Sequence, residues 1–241
     1  MCDFTGQTIV ITGAGSGVGK AIAIAMAENG ASVALVGRHL EALEIVANMV
    51  PGKMKCYVAD LVRDEDISKL HRLVIEDCGG IDLLIHCAGV FAMSPFRSAA
   101  LEDFDRQYRC NVRAPFALTQ IFLPSLLARQ GQVVFINSTA GLNAGAGVSQ
   151  YAATKHALKA VADSLRQEVN GDGMRVLSVF LGRTATPMLE AICKAEGSIF
   201  DPSQYIQPHD VAQTLLHALS LPRTAEIVDL TMRPMKKPLL A

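Results

Sequence analysis

Tyr151 and Lys155 stand at i and i+4 in the chain. On a helix, side chains at that spacing share a face. A phenol by itself matches neutral pH poorly, but an ammonium one turn away favours its ionised form. Such a pair can give a proton to a carbonyl oxygen or take one from an alcohol. The spacing alone is common, so its surroundings decide its weight. Ser138 ends an apolar run upstream, and Gly141, Gly145 and Gly147 permit a loop that returns the chain from Ser138 to Tyr151. A serine hydroxyl there can hold the substrate oxygen. Asn111 lies in the preceding helical region, from which it can relay through water to Lys155.

A second constellation precedes these residues. Thr12-Gly13-Ala14-Gly15-Ser16-Gly17-Val18-Gly19 follows the first apolar run and leads into an amphipathic segment. Glycines let the backbone turn sharply and approach a pyrophosphate at a helix N-terminus, so Gly13, Gly15, Ser16, Gly17, Val18 and Gly19 are candidate dinucleotide contacts. The next run ends at Val36-Gly37-Arg38-His39, with Glu41 the first acid beyond it. A site for NAD usually places an acid here for the ribose 2′-hydroxyl. Arg38 instead suits a 2′-phosphate, which favours NADP(H) over NAD(H).

Elements must carry these residues. Continuous apolar runs predict strands over 8–11, 32–36, 54–58, 81–86, 132–137, 174–180 and 226–230. Amphipathic segments predict helices over 20–29, 40–50, 64–78, 101–129 (broken near Pro115), 149–169 and 208–219. Pro208 suits a helix's first turn and Asp210 adds a carboxylate there. Alternating strands and helices predict an α/β fold: a doubly wound, Rossmann-type parallel sheet of about seven strands in three αβα layers. Ligands then bind at the carboxyl ends of the strands. The irregular stretch 184–207 is expected to form a small loop or short-helix lid.

With 241 residues, half of them hydrophobic, the chain suits one domain over 1–241 and has material for a core. A net charge of −1 without a basic patch argues against nucleic acid as a partner. Neither a signal peptide nor a membrane span is expected; the longest uncharged stretch, 130–154, is broken by Gly, Ser, Asn and Gln. Six cysteines, none in a C-x-x-C pair or at metal-ligand spacing, suggest reduced thiols, a cytoplasmic setting and no metal site.

The motifs together resemble the short-chain dehydrogenase/reductase family over essentially the whole chain. TGAGSGVG at 12–19, Asp60, Asn111, Ser138, YAATK at 151–155 and GRTATPM at 182–188 carry the resemblance, in order and spacing. It implies a catalytic tetrad of Asn111, Ser138, Tyr151 and Lys155. It also implies that Lys155 holds the nicotinamide ribose, that Asp60 and Leu61 lie by the adenine, and that Thr184 and Thr186 lie near the carboxamide. Two departures stand out. His86-Cys87-Ala88-Gly89 replaces the usual Asn-Asn-Ala-Gly. Ala88 and Gly89 still allow close backbone approach to a ribose, while His86 reads better as a sheet-buried histidine than as an acid or base. Leu181 stands where a proline often precedes Gly182.

The expected substrate is a small carbonyl compound or secondary alcohol, with Met93, Phe96, Leu142, Met188 and Leu189 as apolar lining and Asn143 and Arg183 as polar handles. A 3-oxoacyl thioester is the alternative substrate, although Arg97, Arg106, Arg109, Arg113 and Arg129 form no dedicated patch for a carrier. A non-enzymatic NADP-binding regulator is the alternative of another class. The stretch after Met188 is expected to leave little room for the larger lobe of an epimerase or dehydratase. Ala152, Ala153, Ala157, Ala160 and Ala162 permit close helix approach, so a homodimer or a homotetramer is expected.

Overall fold

Valine, isoleucine and leucine dominate the apolar runs, and such side chains suit pleated, buried backbone. In the computed structural model, which describes residues 2–235, they form a seven-stranded sheet. Its strands are β1 (Thr8–Thr12), β2 (Ser32–Gly37), β3 (Met54–Val58), β4 (Leu83–His86), β5 (Gln132–Ser138), β6 (Arg175–Leu181) and β7 (Asp229–Met232). All neighbours are parallel, in the order β3-β2-β1-β4-β5-β6-β7. Every residue of β4 and β6 is buried, whereas the edge strands β3 and β7 alternate between covered and exposed positions. That is the signature of a sheet covered on both faces.

The helices are α1 (Gly17–Glu28), α2 (Leu40–Ala47), α3 (Asp64–Cys78), α4 (Leu101–Tyr108), α5 (Ala114–Ala128), α6 (Ser149–Val169), α7 (Pro187–Glu196) and α8 (Pro208–Leu219). Alternate residues of β1 face opposite layers. Ile9 and Ile11 pack with α1 and α8, and Val10 packs with α3, α5 and α6. The expected three-layer, doubly wound fold is present. Strand order reverses between β1 and β4, and the two strands end in register at Thr12 and His86. That reversal opens the crevice where α/β sheets bind ligands.

Four local departures bear on the site. β4 begins at Leu83 rather than at 81, since the Ile81 N–H goes to the Ser125 hydroxyl instead of a neighbouring strand. β7 starts at Asp229 rather than at 226, because the Glu226 carboxylate accepts from the Val176 N–H. Stretch 184–207 contains a full helix, α7. Its start is signalled by Thr186, whose hydroxyl accepts from the Leu189 N–H, and by Pro187 in the first turn. Finally, the break expected near Pro115 is a π turn at Arg109–Arg113; Pro115 begins α5 without harm, at a position needing no N–H.

Candidate active site

The crevice is a cleft of about 850 Å³, a size suited to a cofactor or small ligand. One end is built by the β1–α1 turn. Gly13 and Gly17 have φ of +68° and +52°, and a Cβ on Gly13 would lie 2.8 Å from the backbone of Ala88. A Cβ on Gly19 would overlap the carbonyl oxygen of Gly13. The turn is therefore a cradle that a side chain at Gly13 or Gly19 would fill. It sets the first turn of α1, with its unpaired N–H groups, against the cleft. Gly13, Gly15, Ser16, Gly17, Val18 and Gly19 all line it, as do Arg38, Asp60, Leu61, Ala88, Gly89, Thr184 and Thr186. Arg38 is exposed there, directly after β2.

The other end carries Ser138, Tyr151 and Lys155, all lining the same cleft. Lys155 is buried, and its ammonium donates to the Ile136 carbonyl at 3.1 Å. It lies 5.7 Å from the centroid of the Tyr151 ring. An ammonium has three protons, so two remain after that bond. The Ser138 hydroxyl accepts from the Ala140 N–H at 3.1 Å, which leaves its own proton free to donate. Phe91 meets the Tyr151 ring edge to face at 4.9 Å.

Asn111 is placed differently from expectation. It sits in the π turn, is buried, and does not line the cleft. Its amide oxygen accepts from the Val90 N–H at 2.8 Å, and its NH2 donates to the Val90 carbonyl and to the Thr154 hydroxyl. That hydroxyl in turn donates to the Tyr151 carbonyl at 2.8 Å. The side chain thus reaches the backbone of Tyr151 rather than the amine of Lys155.

The expected apolar lining divides. Met188, Leu189 and Arg183 face the cleft; Met93, Phe96, Leu142 and Asn143 do not. Phe96 is 85% exposed on a short turn, and Met93 packs towards Gly147 at the rim. Phe91 and Ile192 line the cleft instead.

The supporting contacts of three residues escaped sequence reasoning. Thr12 ends β1, and its hydroxyl accepts from the Cys87 and Ala88 N–H groups, both at 3.1 Å. This steadies the turn after β4. Asn137 donates to the Lys155 carbonyl at 3.1 Å and accepts from the Ser138 N–H at 2.8 Å. Gly141 lets that turn touch α6, since a Cβ there would lie 2.8 Å from the Lys155 carbonyl. The identity of Gly141 was visible in the sequence, but its contact with α6 was not.

His86 and Cys87 sit in different settings. His86 is buried, bonds Thr119 through Nε2 at 2.8 Å and stacks on Phe135. Burial pushes it down to about 3, so it is neutral at physiological pH. Cys87 is half-buried and lines the cleft, and desolvation pushes its thiol up to about 12, which keeps it protonated. All six cysteines are free, and no metal-binding group of His, Cys, Asp or Glu occurs among the described residues.

A family model described as short chain dehydrogenase matches residues 7–197. The chain belongs to that family. It is accordingly an oxidoreductase of the nicotinamide-dependent dehydrogenase and reductase class. A glycine betaine reductase of Emericella nidulans is 32% identical over 98% of the chain, although the match spans only 19% of that longer protein. An uncharacterized oxidoreductase of Staphylococcus aureus (strain USA300) is 29% identical over 97% of the chain and the whole of its own length. Among solved structures, the closed form of serine dehydrogenase complexed with NADP+ is 25% identical, with a TM-score of 0.89 and 97% coverage of both chains. Among the described residues, no helix is long and apolar enough to cross a membrane.

Proposed function

We propose that the protein interconverts a small carbonyl compound and a secondary alcohol using NADP(H), with Tyr151 as the proton carrier. The observation that supports this is the sharing of one cleft by the glycine cradle, Arg38, Ser138, Tyr151 and Lys155. The residues fit a dinucleotide. The cradle would hold its pyrophosphate, Arg38 a 2′-phosphate, and Lys155 its ribose hydroxyls, with Asp60, Leu61, Ala88 and Gly89 towards the adenine end and Thr184 and Thr186 towards the nicotinamide. When bound, such a cofactor supplies or accepts the hydride. The rest falls to side chains of the chain itself. Ser138 donates a hydrogen bond to the substrate oxygen. The Tyr151 Oη gives that oxygen a proton in reduction, or takes one in oxidation. Lys155 is buried beside the ring and keeps two ammonium protons to donate. Asn111 acts through Val90 and Thr154 to fix both sides of the cleft.

The apolar Met188, Leu189 and Ile192 favour a modest organic substrate, and α7 with the segment after it would serve as the lid. Leu101, Phe104, Tyr108 and Phe116 are exposed on α4 and α5, which fits a homodimer or homotetramer. Six free thiols fit the cytoplasm.

The test is to follow NADPH oxidation with a panel of ketones and aldehydes. Tyr151→Phe is expected to lower kcat about 100- to 10,000-fold. Arg38→Ala is expected to weaken NADPH about 10- to 100-fold and leave NADH unchanged. Tight NADPH binding with no turnover on any substrate would instead favour a non-enzymatic NADP-binding regulator. Equal affinity for NADH and NADPH would refute the cofactor preference.

A further inference from the structure

α4 is inverted relative to an ordinary surface helix. Leu101, Phe104 and Tyr108 are exposed, and its one buried residue is Gln107, a polar side chain with no accessible surface. A buried amide is retained only where its hydrogen bonds are made. Gln107 makes them with the chain neighbours of two residues that line the cleft, Phe91 and Tyr151. The Ala92 N–H donates to its Oε1 at 3.1 Å, and because an N–H can only donate, the amide orientation is fixed. Its NH2 then faces the Oε1 of Gln150 at 3.5 Å, and the Gln150 NH2 donates to the Ala100 carbonyl at 2.7 Å. Gln150 immediately precedes Tyr151 in α6.

Gln107 and Asn111 are at i and i+4, and they grip alternate residues of one loop. Asn111 holds both backbone groups of Val90, and Gln107 holds Ala92. Between the two anchors lies Phe91, whose ring meets Tyr151 edge to face and lines the cleft. A second link, from the Ser94 N–H to the Gly147 carbonyl at 2.9 Å, ties the far side of the loop to the approach to α6. Asn111 alone would leave Phe91 free to swing about Val90. The second grip removes that freedom.

We propose that Gln107 is a positioning residue of the active site, which fixes Phe91 against Tyr151 by anchoring Ala92. The assignment rests on the role given to Tyr151 above. It predicts that loss of the anchor harms the chemical step more than cofactor binding, because Phe91 backs the proton-carrying ring.

The experiment uses the full chain and the variants Gln107→Leu, Phe91→Leu and their combination. Amide hydrogen exchange is read first, since it needs no turnover. In Gln107→Leu the Ala92 amide should exchange about 10-fold faster or more, while Val90, still held by Asn111, stays protected. Kinetics follow with NADPH and the best carbonyl of the panel. Gln107→Leu is expected to lower kcat about 10- to 100-fold, with the NADPH dissociation constant unchanged. Because the two residues act in series, the double variant should be little worse than Phe91→Leu alone. Unchanged exchange at Ala92 overturns the anchor. Faster exchange with unchanged kcat, or strictly multiplicative losses in the double variant, overturns the positioning role. If Gln107→Leu fails to fold, Gln107→Met and Phe91→Leu carry the same comparison. A native protein that turns over no carbonyl overturns the oxidoreductase reading and the positioning role with it, and it is told apart because Tyr151→Phe then changes nothing either.

Discussion

Two loops meet at the strand-order reversal, and they are built by opposite means. The β1–α1 turn is shaped by the absence of side chains: at Gly13 the backbone after β4, and at Gly19 the turn's own Gly13 carbonyl, occupy the place of a Cβ. The loop after β4 is shaped by side chains that donate and accept. Thr12 holds Cys87 and Ala88, and Asn111 holds Val90. The first loop has no room for an added atom at Gly13 or Gly19, and the second weakens with each hydrogen bond it loses. Steric exclusion is all-or-none, because a backbone carbonyl cannot move aside without moving its strand. Hydrogen bonds can be given up one at a time, each at a modest cost.

That contrast orders the consequences of mutation. Gly19→Ala should be the most damaging, since its Cβ would overlap the Gly13 carbonyl. About 3 kcal/mol of stability should be lost, at the upper end for overpacking. NADPH binding should fall with it, as titration of the folded fraction would show. A variant as stable as the native protein would mean that the cradle is soft. Thr12→Val is the matching change in the other loop. It keeps the shape but strands two N–H groups, and should cost about 2 kcal/mol in urea unfolding. Its effect on NADPH should be smaller than that of Gly19→Ala, because the cradle itself stays intact. A larger effect would show that the turn after β4, and not the glycines, sets the fit.

The same contrast decides what could be read from the sequence. Missing side chains are visible as glycines, and the turn from Gly13 to Gly19 carries its meaning in residue identity alone. Apolar runs are equally explicit, so six of the strands begin and end within about two residues of expectation by periodicity. The supporting hydrogen bonds were not legible. Thr12 is one threonine among many until β4 lies beside β1, and Asn137 gains its role only when α6 crosses the turn after β5. The π turn at Arg109–Arg113 adds no residue type that marks it, yet it carries Asn111. α7 is a different case. Thr186 and Pro187 form a readable helix start and Gly197 a readable end, so the short-helix form of the lid could have been given its bounds. Phe96 failed as a lining residue for a plain reason: hydrophobicity shows that a side chain prefers cover, and not which cleft provides it.

His86 sharpens the comparison by pH. It stands at the head of the side-chain-built loop, buried, neutral and held down to about 3 from an ordinary 6.5. The unfolded chain therefore takes up a proton below 6.5 that the folded protein refuses until about 3. Stability from this group is complete above that window and is lost as pH falls through it, by at most about 1.4 kcal/mol per pH unit. The measurement is the urea midpoint at pH 7.5, 6 and 5 for the native protein and for His86→Leu. The native curve should fall more steeply, and the gap between the two should narrow as pH drops. Parallel curves would show that His86 is charged in the fold or finds its own acid partner.

The smallest effect belongs to a side-chain contact that closes on water. Arg183 pairs through two short contacts with Glu196, at 2.7 and 2.8 Å, and so ties the end of α7 to the chain leaving β6. Both side chains keep about a third of their surface in solvent, at 35% and 27%. An ion pair so placed is screened, and each partner is nearly as well hydrated alone. α7 also has its own apolar anchor, in which Leu189 and Cys193 pack with Tyr205. Glu196→Gln, which keeps an acceptor and removes the charge, should therefore cost about 0.5 kcal/mol. The difference should fade in about 1 M salt, where the screening length is only about 3 Å. A salt-independent loss of about 2 kcal/mol would place this pair with the buried bonds of Thr12 and Asn111. The lid would then be held by polar side chains in the same way as the loop after β4, and not by its small apolar core.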